Sequence, residues 1–170
     1  GIWFDFDRYC KPFIVDGIIH QTFNSHADFV KEHFLQRNAK GGYDLKEEFN
    51  TQKKVELYFS FQDDNEENHK IKSGLFDLIS NVILFEEPNS NRESFHFRIS
   101  VDQTSSFQHF DNATKSKLWD LYINYFYRRQ DEFWKKEALK KLPALKDATE
   151  MLICGEDLGM VPHSVPEVML

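Results

Sequence analysis

The stretch NATKSKLWDLYINYFYRRQDEFWKKEALKKL, residues 112–142, decides the fold class. Asp111 or Asn112 can cap its first turn. Leu118, Leu121, Tyr122 and Tyr125 recur at spacings of three and four, which put them on one helical face. Phe133, Ala138 and Leu142 continue that stripe. The spacing predicts one long helix from about Asn112 to Leu142, with Pro143 ending it or opening a short helix after it.

Working upstream, residues 95–101 alternate apolar and polar side chains through Phe95, Phe97, Ile99 and Val101. That is a strand period, and with residues 83–87 across Pro88-Asn89-Ser90-Asn91 it predicts a hairpin. A second hairpin is expected where Phe34–Arg37 and Tyr43–Leu45 flank Gly41-Gly42. Asn50 or Thr51 can cap a helix over 51–61 with Val55, Tyr58 and Phe59 on one face. The acidic run 62–68 reads as a loop feeding the first turn of another helix, where negative charge suits the macrodipole. That helix carries Ile71, Leu75, Ile79 and Val82. Residues 1–24 read as irregular or short elements, restricted by Pro12, and Ser25 or His26 opens a short helix. The expected fold is α+β, mostly helical with short antiparallel hairpins.

Composition narrows the function classes. The chain has 170 residues, 41% hydrophobic and 29% charged, enough for a buried core. The formal net charge of −7 argues against a nucleic-acid groove. Arg128–Arg129 and Lys135–Lys141 are local basic runs that read as a solvated helical face. Cys10 and Cys154 have no zinc spacing, and His26 and His33 lack a third ligand nearby, so neither a metal nor a cofactor is assigned. Two isolated cysteines fit a reducing cytoplasm. No 18-residue apolar run predicts a membrane span, and no signal peptide is recognisable. The chain opens Gly-Ile-Trp without an initiator Met and closes in an apolar segment, which reads as a piece of a longer chain.

The chemistry concentrates after the predicted helix. Met151-Leu152-Ile153-Cys154 is a short apolar run followed at once by Gly155-Glu156-Asp157-Leu158-Gly159. Such a run suits a strand buried on both faces of a parallel sheet. Two carboxylates just beyond it stand where (β/α)₈ barrels keep their active sites. Acidic residues after a strand also cap helices, so the pattern alone leaves both roles open.

The segment MLICGEDLGMVP, residues 151–162, resembles the acid/base strand of the 4-alpha-glucanotransferases, glycoside hydrolase family 77. Similar text lies at DFDRYCKPFI (5–14), FHFRIS (95–100), QTSSF (103–107), YFYRRQDEFW (125–134) and KLPAL (141–145). The resemblance covers essentially the whole chain and is to the long form of the family, in which an extra domain interrupts the barrel. It implies an inserted, mainly helical domain over 1–148 and a barrel strand with the start of the next helix over 149–170. It also implies a retaining transfer of alpha-1,4-glucan, with Glu156 as acid/base and Asp157 positioning a loop or a sugar hydroxyl. The implied partners are alpha-glucan and maltodextrin, in starch or glycogen metabolism, with no nucleic acid and no membrane.

Two family motifs have no counterpart. The nucleophile's Arg-Ile-Asp-His strand and the third carboxylate's Thr-His-Asp motif are absent, and Asp5 and Asp7 match neither. The expectation is therefore a piece that is inactive alone. The competing readings are a non-catalytic module that binds glucan or mediates dimer contacts, and a helical scaffold for a protein partner. For the glucan module, Trp3, Trp119 and Trp134 are candidate platforms, although core positions are the default for aromatics. The apolar end, Val165–Leu170, is expected to cover itself by packing or by homodimer contacts.

Overall fold

A computed structural model describes residues 5–148 and 163–169. Trp3, the expected strand 151–154, Glu156 and Asp157 lie outside them. The described residues fall into two compact units, divided between Asp111 and Asn112. They are mostly helical with two small antiparallel hairpins, as an α+β reading requires.

The first unit opens with two short helices, in the stretch that the sequence left as irregular or short elements. Helix α1 (Phe6–Cys10) is capped by Asp5, whose carboxylate accepts from the Arg8 amide at 3.0 Å. Lys11 turns extended ahead of Pro12. Helix α2 (Asp16–Phe23) buries Ile18, Ile19 and Phe23, and a 3₁₀ turn over Asn24–His26 leads into α3 (Ala27–His33). Strands β1 (Leu35–Arg37) and β2 (Tyr43–Leu45) pair Leu35 with Leu45 and Arg37 with Tyr43. In their turn, Gly41 takes φ +82°, and Asn38 Oδ1 accepts from the Lys40 and Gly42 amides, each at 3.0 Å. A side chain at Gly42 would press on the Ile14 carbonyl, which accepts from the Tyr43 amide at 2.9 Å.

Helix α4 (Gln52–Phe59) is capped by Thr51 and α5 (Glu66–Ser80) by Asn65. Both start as the sequence predicts, but α5 stops at Ser80, so Leu78 rather than Val82 completes its buried stripe of Ile71 and Leu75. The first unit's core joins these residues to Val55, Val30 and Phe34. Around Phe34 the rings of Phe49, Tyr58 and Phe59 lie 4.7, 5.5 and 6.0 Å away, centroid to centroid. Burying each large side chain contributes about 1.5–3 kcal/mol. Most of the 17 phenylalanines' share of this unit therefore goes to holding it together rather than to a ligand.

Strands β3 (Leu84–Glu86) and β4 (Phe95–Phe97) form the second hairpin, with Leu84 opposite Phe97 and Glu86 opposite Phe95. The expected alternation to Val101 breaks at Ser100, which takes φ +55°. Ile99 is left 62% exposed, while Val101 is buried in a 3₁₀ turn. Helix α6 (Ser105–Gln108) follows, capped by Thr104.

The second unit corrects the single-helix expectation. Helix α7 (Asn112–Ile123) gives way to a π-helical stretch, Asn124–Arg129, before α8 (Gln130–Asp147) resumes α geometry. The wider π turn shifts everything after it in phase relative to an unbroken helix. The predicted stripe fails in part: Leu118 and Tyr122 are buried, whereas Leu121, ahead of the π stretch, is 58% exposed and Phe133, after it, 63% exposed. Pro143 does not end the helix, because α8 runs through it to Asp147. The exposed backbone there gives up one hydrogen bond, and the helix formers Lys140, Lys141, Leu142, Ala144, Leu145 and Lys146 carry the helix across. Helix α9 (Val165–Met169) packs against α8.

Candidate functional site

Glu156 and Asp157 fall in the stretch between α8 and α9, outside the described residues. What is described are the two ends that bracket it. The chain leaves α8 after Asp147, and it is next described at His163 and Ser164. Ser164 sits beside Asp131: its amide donates to Asp131 Oδ1 at 3.2 Å and its hydroxyl donates to the same oxygen. Asp131 and Asp147 are about 24 Å apart along the helix axis. Residues 149–162 therefore connect the C-terminal end of α8 to its N-terminal end, where α9 begins. The Ser164 hydroxyl, with its amide and the nearby His163 and Lys135, holds the Asp131 carboxyl below the usual carboxylate range. Lys135 also pairs with Glu167 on α9.

At that same end of α8 lies a cleft of about 850 Å³. The π stretch supplies Phe126, Tyr127 and Arg128 to it, α8 supplies Phe133, Trp134 and Glu137, and His163 stands at its edge. Behind it the rings of Tyr122 and Phe126 meet at 4.7 Å and those of Tyr125 and Phe126 at 4.8 Å, so the wall is a packed aromatic layer. A surface of this kind, apolar faces with a few separated polar groups, suits a neutral ligand with both apolar and hydroxylated sides.

The two tryptophan candidates among the described residues are not interior. Trp119 stays 39% exposed, stacked on Tyr122 at 5.0 Å, and Trp134 is half-buried at the cleft. The basic run is a solvated face as expected. Lys140 and Lys141 share Glu137, and the Lys140 ammonium draws the Glu137 carboxyl below its ordinary value. Among the described residues no group of His, Cys, Asp and Glu could hold a metal ion, and no helix is long and apolar enough to cross a membrane.

One polar cluster was missed by sequence reasoning altogether. Buried Asn81 donates through Nδ2 to the Phe13 carbonyl and to Ser105 Oγ, each at 2.8 Å. Its Oδ1 accepts from the Ser106 amide at 2.9 Å. Arg8 reaches Ser106 from the other side, donating to Oγ at 2.7 Å and to the carbonyl at 2.6 Å. The Arg8 guanidinium lies between the rings of Phe13 and Phe110, 4.2 and 3.7 Å from their centroids. No spacing rule joins residues 98 positions apart. The cleft did leave a signal: Tyr125-Phe126-Tyr127 and Phe133-Trp134 are more aromatics than one helical stripe can bury.

The sequence profile of the 4-alpha-glucanotransferases, glycoside hydrolase 77, matches residues 99–170. Across 99% of its length the chain is 36% identical to the 4-alpha-glucanotransferase DPE2 of Oryza sativa subsp. japonica. The chain belongs to the 4-alpha-glucanotransferase family. It spans 18% of the length of the rice glucanotransferase. Both the α7–α8 helices and the GEDLG motif fall inside the part matched by the family profile, and the identity to the rice protein extends through the first unit as well. No solved structure matches the glucanotransferase chain.

Proposed function

We propose that this chain is part of a retaining alpha-1,4-glucan transferase in which Glu156 is the acid/base. The observation that carries the reading is the family match, whose profile segment includes Gly155-Glu156-Asp157-Leu158-Gly159. In the first half-reaction a carboxylate elsewhere in the parent enzyme attacks the anomeric carbon. The glycosidic C–O bond breaks as Glu156 gives its proton to the leaving oxygen. In the second, Glu156 takes the proton of an acceptor 4-hydroxyl, whose oxygen displaces the carboxylate. Retention requires the two carboxyl groups about 5–5.5 Å apart. Glu156 must also hold a pKa that keeps both protonation states accessible, which a neighbouring carboxylate or a dry setting provides. Asp157 positions the loop or a sugar hydroxyl.

On this reading residues 1–148 are an insertion and 149–170 a barrel strand leading into the next helix. The described connectivity supports it. A helix, then a segment returning to that helix's N-terminal end, then a second helix starting there is the order of an αβα step in a barrel. The proposed substrates are alpha-glucan and maltodextrin, the proposed setting the cytoplasm, and the chain alone is inactive because it lacks the attacking carboxylate. The test is disproportionation of maltotriose by the full-length parent, its Glu156→Gln variant and the isolated chain. Turnover by the parent alone is expected. A fully active Glu156→Gln parent, or glucose release by the isolated chain, overturns the proposal.

A further inference from the structure

We infer that the aromatic cleft at the N-terminal end of α8 is a glucan-binding surface that extends the proposed catalytic site; this rests on the transferase reading above. The argument begins with Phe133, which is 63% exposed. On α8 its ridge neighbours are Gln130 at i−3, Lys136 at i+3, Glu137 at i+4 and Lys140 at i+7. A ring that faced a protein core would have apolar residues at those spacings. The apolar side of α8 runs instead through Trp134, Ala138, Leu142 and Leu145. Phe133 lies about 100° around the helix from Trp134. Tyr127, on the π stretch, is 51% exposed at the same cleft.

Two exposed aromatic faces ringed by polar groups are poor design for solubility and good design for a sugar chain. The C–H faces of glucose lie against aromatic rings, and its hydroxyls find Arg128, Gln130 and Glu137 beside them. The lining sets Arg128 against Asp131 and Glu137, so it offers no strong field to select a charged ligand. Asp131 is already engaged by Ser164 and Glu137 by Lys140 and Lys141, which leaves Arg128 and Gln130 foremost to meet hydroxyls. Position supplies the link to catalysis. His163, at the cleft, follows Glu156 by seven residues, a reach of no more than about 24 Å. A maltoheptaose chain therefore suits a surface of this size and distance, with sugars remote from the cleaved bond held on Phe133 and Tyr127.

The test measures direct binding of maltoheptaose to the full-length parent by calorimetry, in a Glu156→Gln background that prevents turnover. Phe133→Ala should weaken binding about tenfold, Tyr127→Ala should weaken it too, and Phe133→Trp should restore most of the affinity. The melting temperature of Phe133→Ala should match its background. Unchanged maltoheptaose affinity overturns the inference. So does a drop in melting temperature that Phe133→Trp fails to repair, since that would show the ring seated against the rest of the polypeptide. Because binding is read without turnover, a failed acid/base assignment and a failed cleft give different results. The first shows as an active Glu156→Gln parent, the second as unaltered affinity in the aromatic variants.

Discussion

Replacing Asn81 with Ala should cost the first unit far more than its small change in volume suggests. Asn81 lies just past α5, and its side chain joins three segments distant in sequence: Phe13 before α2, and Ser105 and Ser106 at the start of α6. Truncation removes three hydrogen bonds at once. The Ser105 hydroxyl can turn to another partner. The Ser106 amide cannot, because that residue is fully buried, and the Phe13 carbonyl loses its 2.8 Å donor. Leaving a buried backbone group unsatisfied costs about 1–3 kcal/mol, so the fully buried Ser106 amide with the half-buried Phe13 carbonyl sets the expected loss at roughly 3 kcal/mol. That is on the order of a 100-fold change in the folding constant. For a unit of this size it lowers the melting temperature by roughly 12–24 °C. The assay is urea and thermal unfolding followed by circular dichroism, with exposed Ser25→Ala as the control. A loss below about 1 kcal/mol would refute the reasoning, since it would mean that water or a local shift satisfies both groups.

Three further outcomes are expected. Gly74→Ala on α5 places a methyl carbon 2.9 Å from Phe23 Cζ and closer still to Cε1. Overpacking of about 1–3 kcal/mol should outweigh the helix-propensity gain of about 1 kcal/mol; a chemical melt checks it, and Phe23→Leu in the same chain should recover part of the loss. The Asp131 carboxyl is held low by Ser164. Its contribution is therefore present above the unfolded carboxylate value near ~4 and is lost as pH falls through the depressed folded value. Amide exchange should show α9 protected at neutral pH and released on acidification, while Ser164→Ala releases it at pH 7; intact protection in that variant would refute the anchor. Burial pushes the Cys10 thiol up to about 11, with Glu86 adding to the shift. In a Cys154→Ser chain at pH 8, Cys10 should react with a disulfide reagent about 100-fold more slowly than an ordinary exposed thiol.

How much could be read in advance follows from the range of the interaction involved. Thr51 and Asn65 were legible as caps, or as part of a capping loop, because a cap acts across three residues. The first hairpin was legible because Asn38, Gly41 and Gly42 set its turn locally. The second hairpin was legible only as far as Phe97, since nothing in the alternation of Phe95, Phe97, Ile99 and Val101 announces the left-handed Ser100. The short helices α1 and α2 were not legible. The five residues of α1 bury none of their side chains, and α2 buries only Ile18, Ile19 and Phe23 in a span of eight, so neither is long enough to show a helical period of its own.

The site was legible in a different sense. The proposed acid/base motif stood out as a contiguous string, but the aromatic cleft did not, because the cleft includes a stretch of altered helical geometry. In an unbroken α-helix Leu118, Leu121, Tyr122, Tyr125 and Phe133 share a face, and a reader assigns all of them to packing. The π stretch at Asn124–Arg129 breaks that phase. Leu118 and Tyr122, before it, are buried, and Phe133, after it, is exposed on a ridge of Gln130, Lys136, Glu137 and Lys140. A π turn is costly to keep, since its hydrogen bonds are poorer than those of an α-helix, and such turns concentrate at functional positions. Here its effect is to carry Tyr127 and Phe133 to one cleft, at the end of α8 where α9 begins. A helix whose only task was to fill a barrel's outer layer would gain from losing the extra residue. Deleting one residue from Asn124–Arg129 should therefore stabilise the second unit while it removes the cleft's aromatic pair.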